Sequence, residues 1–230
     1  MNPIPDAPDM RSKSASAYEH LKRLAIRGDL RPGRRLSSTD LASHFQISIT
    51  PVRDALVRLE VEGFIRLEAN RGYFTKPWTV DEQRDLLRIV AMHLVASLEA
   101  RGGAAAQEAL VGLDQALSGE GADPAQAAGM FVERQEQLHT ALVASTGNVV
   151  AGRIVRNALD RTYLIRRIDL EDPAARAATA AALHGVVEAM SRADLIGAIE
   201  QSRADINRLA PRLPQAVARA NEEGQKLRFP

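Results

Sequence analysis

The 230-residue chain has no cysteine, few aromatics and no charge of one sign in excess. Without cysteine there is no disulfide framework, no thiolate zinc site, no thiol nucleophile and no iron–sulfur ligation. One Trp, three Tyr and five Phe are too few for a core built on aromatic stacking, so burial must come from Leu, Val, Ile and Ala. No stretch approaches the ~18 consecutive apolar residues of a membrane span. The opening Met-Asn-Pro-Ile-Pro-Asp-Ala-Pro-Asp holds no apolar run of the signal-peptide kind. These absences predict a soluble, cytoplasmic protein with no membrane partner. At roughly 100–200 residues per domain the length is enough for one or two globular domains.

Thirty Lys and Arg against 29 Asp and Glu give a net charge of +1, but the total conceals a division. Arg11 to Lys76 carries 13 basic and seven acidic residues, +6, while residues 1–10 carry −2 and residues 77–230 carry −3. Six of the nine aromatics also lie at or before Trp78. A basic, aromatic-bearing third followed by an Ala-rich, mildly acidic remainder predicts two domains, the first suited to nucleic acid. Lys76-Pro77-Trp78 is the joint, because Pro disfavours helix before it and cannot extend a strand ladder. The predicted organisation is a flexible segment 1–12, a first domain 13–76, a linker 77–79, a second domain 80–212 and a tail 213–230.

In the first domain, Tyr18, Leu21, Leu24 and Ala25 recur at helical spacing and Gly28 stands where a left-handed cap ends a helix, so residues 14–27 are predicted helical. Ser37 with Asp40 three positions on opens a second helix, residues 38–45. Ser48 opens a third, residues 49–62, whose Pro51 is tolerated in the first turn. After Gly63 the period changes: residues 64–68 and 73–76 read as strands around the turn Ala69-Asn70-Arg71-Gly72. Three helices and a hairpin make a winged helix-turn-helix, with the third helix directed to the major groove and the hairpin to the backbone or minor groove. Ser48 and Thr50 suit phosphate contacts, Arg53 suits a bidentate pairing with guanine, and Arg35 and Arg71 bring cations from two further elements. Against this, Ser48 could serve as a cap alone, Arg53 as one half of an ion pair and Arg71 as a solubilising turn residue. It is their joint placement that favours double-stranded DNA.

This segment resembles the GntR family of bacterial transcription regulators. The resemblance runs without a gap from Tyr18 to Thr75 through Gly28-Asp29-Leu30-Arg31-Pro32-Gly33-Arg34-Arg35-Leu36, Asp40-Leu41-Ala42, Thr50-Pro51-Val52-Arg53-Asp54-Ala55-Leu56, Leu59-Glu60-Val61-Glu62-Gly63 and Asn70-Arg71-Gly72. It implies DNA contacts from Arg35, Ser48, Thr50, Arg53 and the wing at Arg71 and Gly72. Where the family usually has Arg between the Ser and Thr that open the recognition helix, this chain has Ile49. An aliphatic side chain can meet a thymine methyl but cannot read guanine, so the operator should differ at that base.

The remainder has helix signals and no strand signal. Thr79-Val80-Asp81-Glu82 is a capping box ahead of Leu86, Leu87, Val90, Leu94 and Leu98 on one face. Asp123-Pro124 and Asp172-Pro173 each pair an N-cap with Pro at the first helical position. Helices are predicted at 80–101, 104–118, 124–145, 148–168, 174–191 and 193–212, forming an antiparallel bundle; the whole chain is therefore mainly α. This part resembles the FCD effector domain found behind GntR-type winged helices, on Leu138-His139-Thr140-Ala141-Leu142, Gly147-Asn148, Val186-Val187-Glu188-Ala189-Met190, Asp194 and Ala198.

The FCD resemblance implies a homodimer on a two-fold related operator, with repression the more usual outcome. It also implies a small effector, typically a carboxylic acid, in a pocket to which Arg88, Gln135, His139 and Asp205 correspond. Many FCD domains hold a divalent metal through one Asp and three His. Here those positions carry Gln135, His139, Leu183 and Asp205, with His184 one residue from register, so the cofactor set is incomplete. The alternatives are a bundle that serves only to dimerise and, more remotely, a bundle enzyme using His139, Asp205 and Glu136, which no nucleophile–base set supports.

Overall fold

The computed structural model describes residues 10–101 and 123–226, which fall into two compact units, residues 10–78 with 221–226 and residues 79–101 with 123–220. In the first unit α1 (Met10–Arg27) and α3 (Ile49–Val61) pack together with α2 (Ser38–Phe45) beside them. Leu21, Val52, Ala55, Leu56 and Leu59 at their centre have no exposed surface. Ser37 caps α2 by accepting a hydrogen bond from the Asp40 amide at 3.2 Å, as its spacing predicts. Gln46 then closes α2 in the left-handed region (φ 55°), sharpening the turn into α3.

Gly63 (φ 82°) ends α3 and β2 (Ile65–Glu68) pairs antiparallel with β3 (Gly72–Thr75) around Asn70 (φ 60°) and Gly72 (φ 93°). The hairpin is joined by a strand the sequence pattern did not announce. β1 (Arg35–Leu36) pairs with the other edge of β3, giving the order β1-β3-β2. It is held by Thr75, whose amide donates to Arg34 O at 2.9 Å and whose hydroxyl donates to Arg31 O at 2.6 Å. Two residues are too few for periodicity to register.

The second unit consists, among the described residues, of α4 (Val80–Arg101), α5 (Pro124–Ala144), α6 (Val149–Asp169), α7 (Pro173–Ser191), α8 (Leu195–Leu209) and the start of α9 (Leu213–Gln225). The helix expected at 104–118 lies outside the described residues. Asp123 and Asp172 cap helices that begin at Pro124 and Pro173, accepting from Ala125 and Ala174 amides at 2.9 Å. Asn148 caps α6 by accepting from the Ala151 amide at 3.0 Å. The core runs through Leu86, Val90, Leu94, Phe131, Leu138, Leu159 and Leu183.

Residues 213–225, expected as a tail, form the helix α9 instead. Pro214 sits in its first turn, where no intrahelical donor is lost, and Leu213, Ala216, Val217 and Ala220 follow at i, i+3, i+4 and i+7, all buried. The end of α9 belongs to the first unit, where the Asn221 amide accepts from Trp78 N (3.1 Å) and donates to Trp78 O (2.9 Å).

Candidate nucleic-acid interface and bundle pocket

Helix α3 divides its residues sharply. Pro51, Val52, Ala55, Leu56 and Leu59 are buried, and this rotation leaves Ser48, Ile49, Thr50 and Arg53 exposed at the N-terminal end. Ser48 occupies the N-cap but its side chain makes no capping hydrogen bond, so the hydroxyl is unspent. Arg53 forms no ion pair or hydrogen bond with any described residue. Neither the capping bond open to Ser48 nor the ion pair open to Arg53 forms among the described residues. Four amides at a helix N-terminus lack intrahelical partners, and here exposed hydroxyls and a guanidinium stand beside them.

Pairing of β1 with β3 brings Arg35 to the wing. A Cβ at Gly72 would lie 3.7 Å from Arg35 Nε, so the guanidinium rests over the bare backbone of the wing turn. Arg71 at the turn is exposed and bonds Glu68 at 2.5 Å. Arg66, which the pattern of types did not single out, reaches the other oxygen of Glu68 at 2.7 Å. The wing thus carries two arginines on one carboxylate, a net positive tip. Arg35 and Gly72 are brought together; Arg53 and Thr50 lie on a separate element of the same unit.

The bundle contains a small pocket of about 40 Å³ lined by Leu87, Val90, Gln135, His139, Leu159, Arg166, Asp169, Asp205 and Arg212 among others. Three of the four residues expected at the effector site, Gln135, His139 and Asp205, line it and are buried. Arg88 does not. Leu87 and Val90 hold the inward face of α4, and one residue along a helix turns a side chain by about 100°, so Arg88 points to solvent and pairs with Asp85 at 3.5 Å. The pocket arginines are Arg166 and Arg212. The signal for Arg166 was present in α6, where it and Asp169 continue the buried spacing Val155, Leu159, Thr162 with charged groups.

Arg166 is 5% exposed. Its Nε donates to Thr162 Oγ1 (3.2 Å), Nη1 to Gln135 Oε1 (3.1 Å), and Nη2 to Leu159 O (3.0 Å) and to Glu136 Oε1. Gln135 in turn donates from Nε2 to Asp205 Oδ2 at 3.3 Å. At the other side Arg212 grips Asp169 with both nitrogens, at 2.6 and 2.8 Å, and this pairing raises its pKa. His139 Nδ1 is buried with no hydrogen-bond partner. Burial, followed by the Arg166 charge, pushes His139 down to about 3, so the ring is neutral. Burial raises Asp205 to about 6 against the opposing pull of Arg208, the Gln135 hydrogen bond and Arg166, with Asp169 adding to the rise.

These residues do not suit a metal. No group of three or more His, Cys, Asp or Glu able to hold one occurs among the described residues. Gln135 offers an amide already bonded on both atoms, Leu183 is in the core, and His184 turns Nδ1 to the Ala180 carbonyl at 2.8 Å. One imidazole and one carboxylate fall short of the three or four protein ligands of zinc-type sites. Among the described residues no helix is long and apolar enough to cross a membrane.

Comparison with known proteins agrees with both halves of this description. Residues 13–74 match the family described as "Bacterial regulatory proteins, gntR family", and residues 80–208 match the FCD domain. The chain is 28% identical over 146 residues to the Nta operon transcriptional regulator of Aminobacter aminovorans, spanning 64% of this chain and 70% of that protein. It is 33% identical over 85 residues to the uncharacterized HTH-type transcriptional regulator BphR of Paraburkholderia xenovorans (strain LB400), 37% of this chain but only 34% of that one's length. Among solved structures, a putative GntR regulator from Rhodococcus sp. RHA1 superposes with a TM-score of 0.72 over 89% of this chain and 99% of the other, at 18% identity, a likeness of fold. The chain is a DNA-binding transcriptional regulator of the GntR family, with a winged helix-turn-helix ahead of an FCD effector-binding domain.

Proposed function

We propose that the protein is a homodimeric repressor that binds a two-fold related operator through α3 and the wing, and that a small carboxylic acid entering the bundle pocket changes its affinity for that DNA. The observation that carries the effector reading is His139, a neutral buried imidazole with an unspent Nδ1 in a pocket that also holds Arg166 and Arg212. A buried polar atom without a partner costs about 1–3 kcal/mol, which a ligand hydrogen bond would recover. For the bases, Arg53 and Thr50 are the proposed readers, Ser48, Arg35, Arg71 and the Gly72 backbone the proposed phosphate contacts, and Ile49 the apolar contact to a thymine methyl.

Support for a second copy comes from α6, whose first turns leave Val149, Val150 and Ile154 exposed on adjoining positions; burying them against the same surface of a partner would satisfy a two-fold interface. The effector acts on DNA affinity only to the extent that it binds one arrangement of the dimer better than the other.

The experiment is recovery of bound genomic DNA, followed by fluorescence anisotropy of the recovered site with and without a panel of organic acids suggested by the neighbouring genes. One dimer per two-fold site, released by a saturable acid and unaffected by it in His139→Ala, is the expected result. A monomer at micromolar concentration on the site refutes the dimer, and saturating acids that leave both melting temperature and DNA affinity unchanged refute the effector role.

A further inference from the structure

The pocket has no metal-ligand set, yet it does not lack a cation. Arg166 puts a permanent positive charge among Gln135, His139 and Asp205, and its four hydrogen bonds come from two helices, its own α6 through Leu159 and Thr162 and α5 through Gln135 and Glu136. Gln135 is matched to this arrangement atom by atom. Its carbonyl oxygen accepts from the guanidinium while its NH2 donates to the Asp205 carboxylate. An aspartate at 135 could accept from Arg166 but would face Asp205 with a second negative charge; only an amide does both. A divalent ion placed beside these groups would have to displace or repel the guanidinium, which cannot deprotonate.

We propose that Arg166 stands where a metal would be expected to serve, making this a metal-independent site that receives a small carboxylic acid on the guanidinium Nη1 and His139 Nδ1. Resting on the effector reading above, the inference adds how the charge of such a ligand is met. These bonds use Nε once, Nη2 twice and Nη1 once, leaving one Nη1 hydrogen with no partner among the described residues. With His139 Nδ1 it supplies two hydrogen-bonding atoms in the same pocket.

The test needs neither the acid nor DNA. The full chain is incubated with excess Zn2+ or Mn2+, desalted, and assayed for bound metal and for its melting temperature; Arg166→Ala is then melted with and without millimolar methylguanidinium. The expected results are less than about a tenth of an equivalent of metal retained, a melting temperature unmoved by either ion, and an Arg166→Ala variant that melts several degrees lower and is partly restored by methylguanidinium but by neither metal. Retention of one equivalent of metal that is lost in His139→Ala overturns the proposal, as does an Arg166→Ala variant that melts like the parent or gains nothing from methylguanidinium. Should Arg166→Ala not fold, Arg166→Lys, which keeps the charge, must fold and remain metal-free; a Lys variant that retains metal overturns the proposal equally. If these arms hold and no acid ever binds, the substitution of Arg166 for a metal stands, while the effector reading and the acid contacts at Nη1 and His139 Nδ1 have failed.

Discussion

Replacing Asp205 by Asn should stabilise the protein at neutral pH and leave it unchanged in acid. In the folded chain the Asp205 carboxyl is raised from 3.8 to about 6, mainly by burial. A raised acid pKa means that the folded state binds more protons than the unfolded one between these values, so its contribution to stability is complete below pH 3.8 and is lost as pH rises through 6. The loss amounts to about 3 kcal/mol for a shift of about two units. Asn is close in shape to the protonated acid, and its carbonyl oxygen can still accept from Gln135. It should therefore match the parent at low pH and exceed it above pH 6, with about 2 kcal/mol of the difference developing between about pH 4.5 and about pH 7.5. Urea unfolding of parent and Asp205→Asn across that range measures it directly. The groups that set the shift are Arg208, Gln135, Arg166 and Asp169, all retained in the variant.

The parent alone would conceal this effect. His139 is lowered from 6.5 to about 3, so it withdraws stability on acidification over nearly the window in which Asp205 supplies it, each at about 1.4 kcal/mol per pH unit. Removing the carboxyl unmasks the histidine, and Asp205→Asn should be the more acid-sensitive protein. A parent–variant difference that does not change with pH, or a variant less stable at pH 7.5, would refute the assignment of Asp205 as a buried acid whose ionisation costs stability.

Other expectations concern the DNA-binding unit. Arg53→Ala should lower specific operator affinity by about 1–3 kcal/mol and relax preference at one base, while Arg35→Ala weakens binding across sequences and reduces the salt slope by about one, both read by anisotropy titrations at several salt concentrations. Equal affinities for parent and both variants would remove α3 and the wing from the interface. Ile49→Arg should leave the melting temperature nearly unchanged, since the side chain is 37% exposed, yet shift the preferred base from thymine toward guanine in a selection from random operators. Leu56→Ala, at a position with no exposed surface, should cost about 2–5 kcal/mol in chemical unfolding.

Most of the winged unit was legible because each element is announced by local chemistry. Ser37 with Asp40, Pro51 in the first turn of α3, and Gly63 ahead of β2 are signals contained within a few residues, and the structure uses each at the expected place. What escaped was either too short or hidden by a misleading residue. β1 is two residues long and exists only because β3 offers an edge to pair with, a partner 39 positions away for Arg35 and Phe74. In α9 the pattern Leu213, Ala216, Val217, Ala220 was as regular as in any other helix, but Pro214 and the polar stretch after it read as a terminator rather than as a first turn.

The pocket was half legible, and the missing half follows from how a helix rotates. Alignment by residue type carries Gln135, His139 and Asp205 to a single pocket because each is set within a buried stripe whose register the neighbours define. Arg88 failed the same test: Leu86, Leu87, Val90 and Leu94 already fill the inward arc of α4, leaving position 88 on the outside. Applied to α6, the rule selects the arginine that lines the pocket. Thr162, Ile165, Arg166 and Ile168 fall in one buried arc, so Arg166 has to be buried, and a buried guanidinium requires a carboxylate and several acceptors nearby. That requirement in turn explains Gln135, which looks like a decayed ligand when compared with an aspartate but is the residue type that can bond a guanidinium on one side and Asp205 on the other. The departures at these positions are therefore coupled: the amide at 135 makes sense only with the arginine at 166, and together they define a pocket whose charge is supplied by the chain itself.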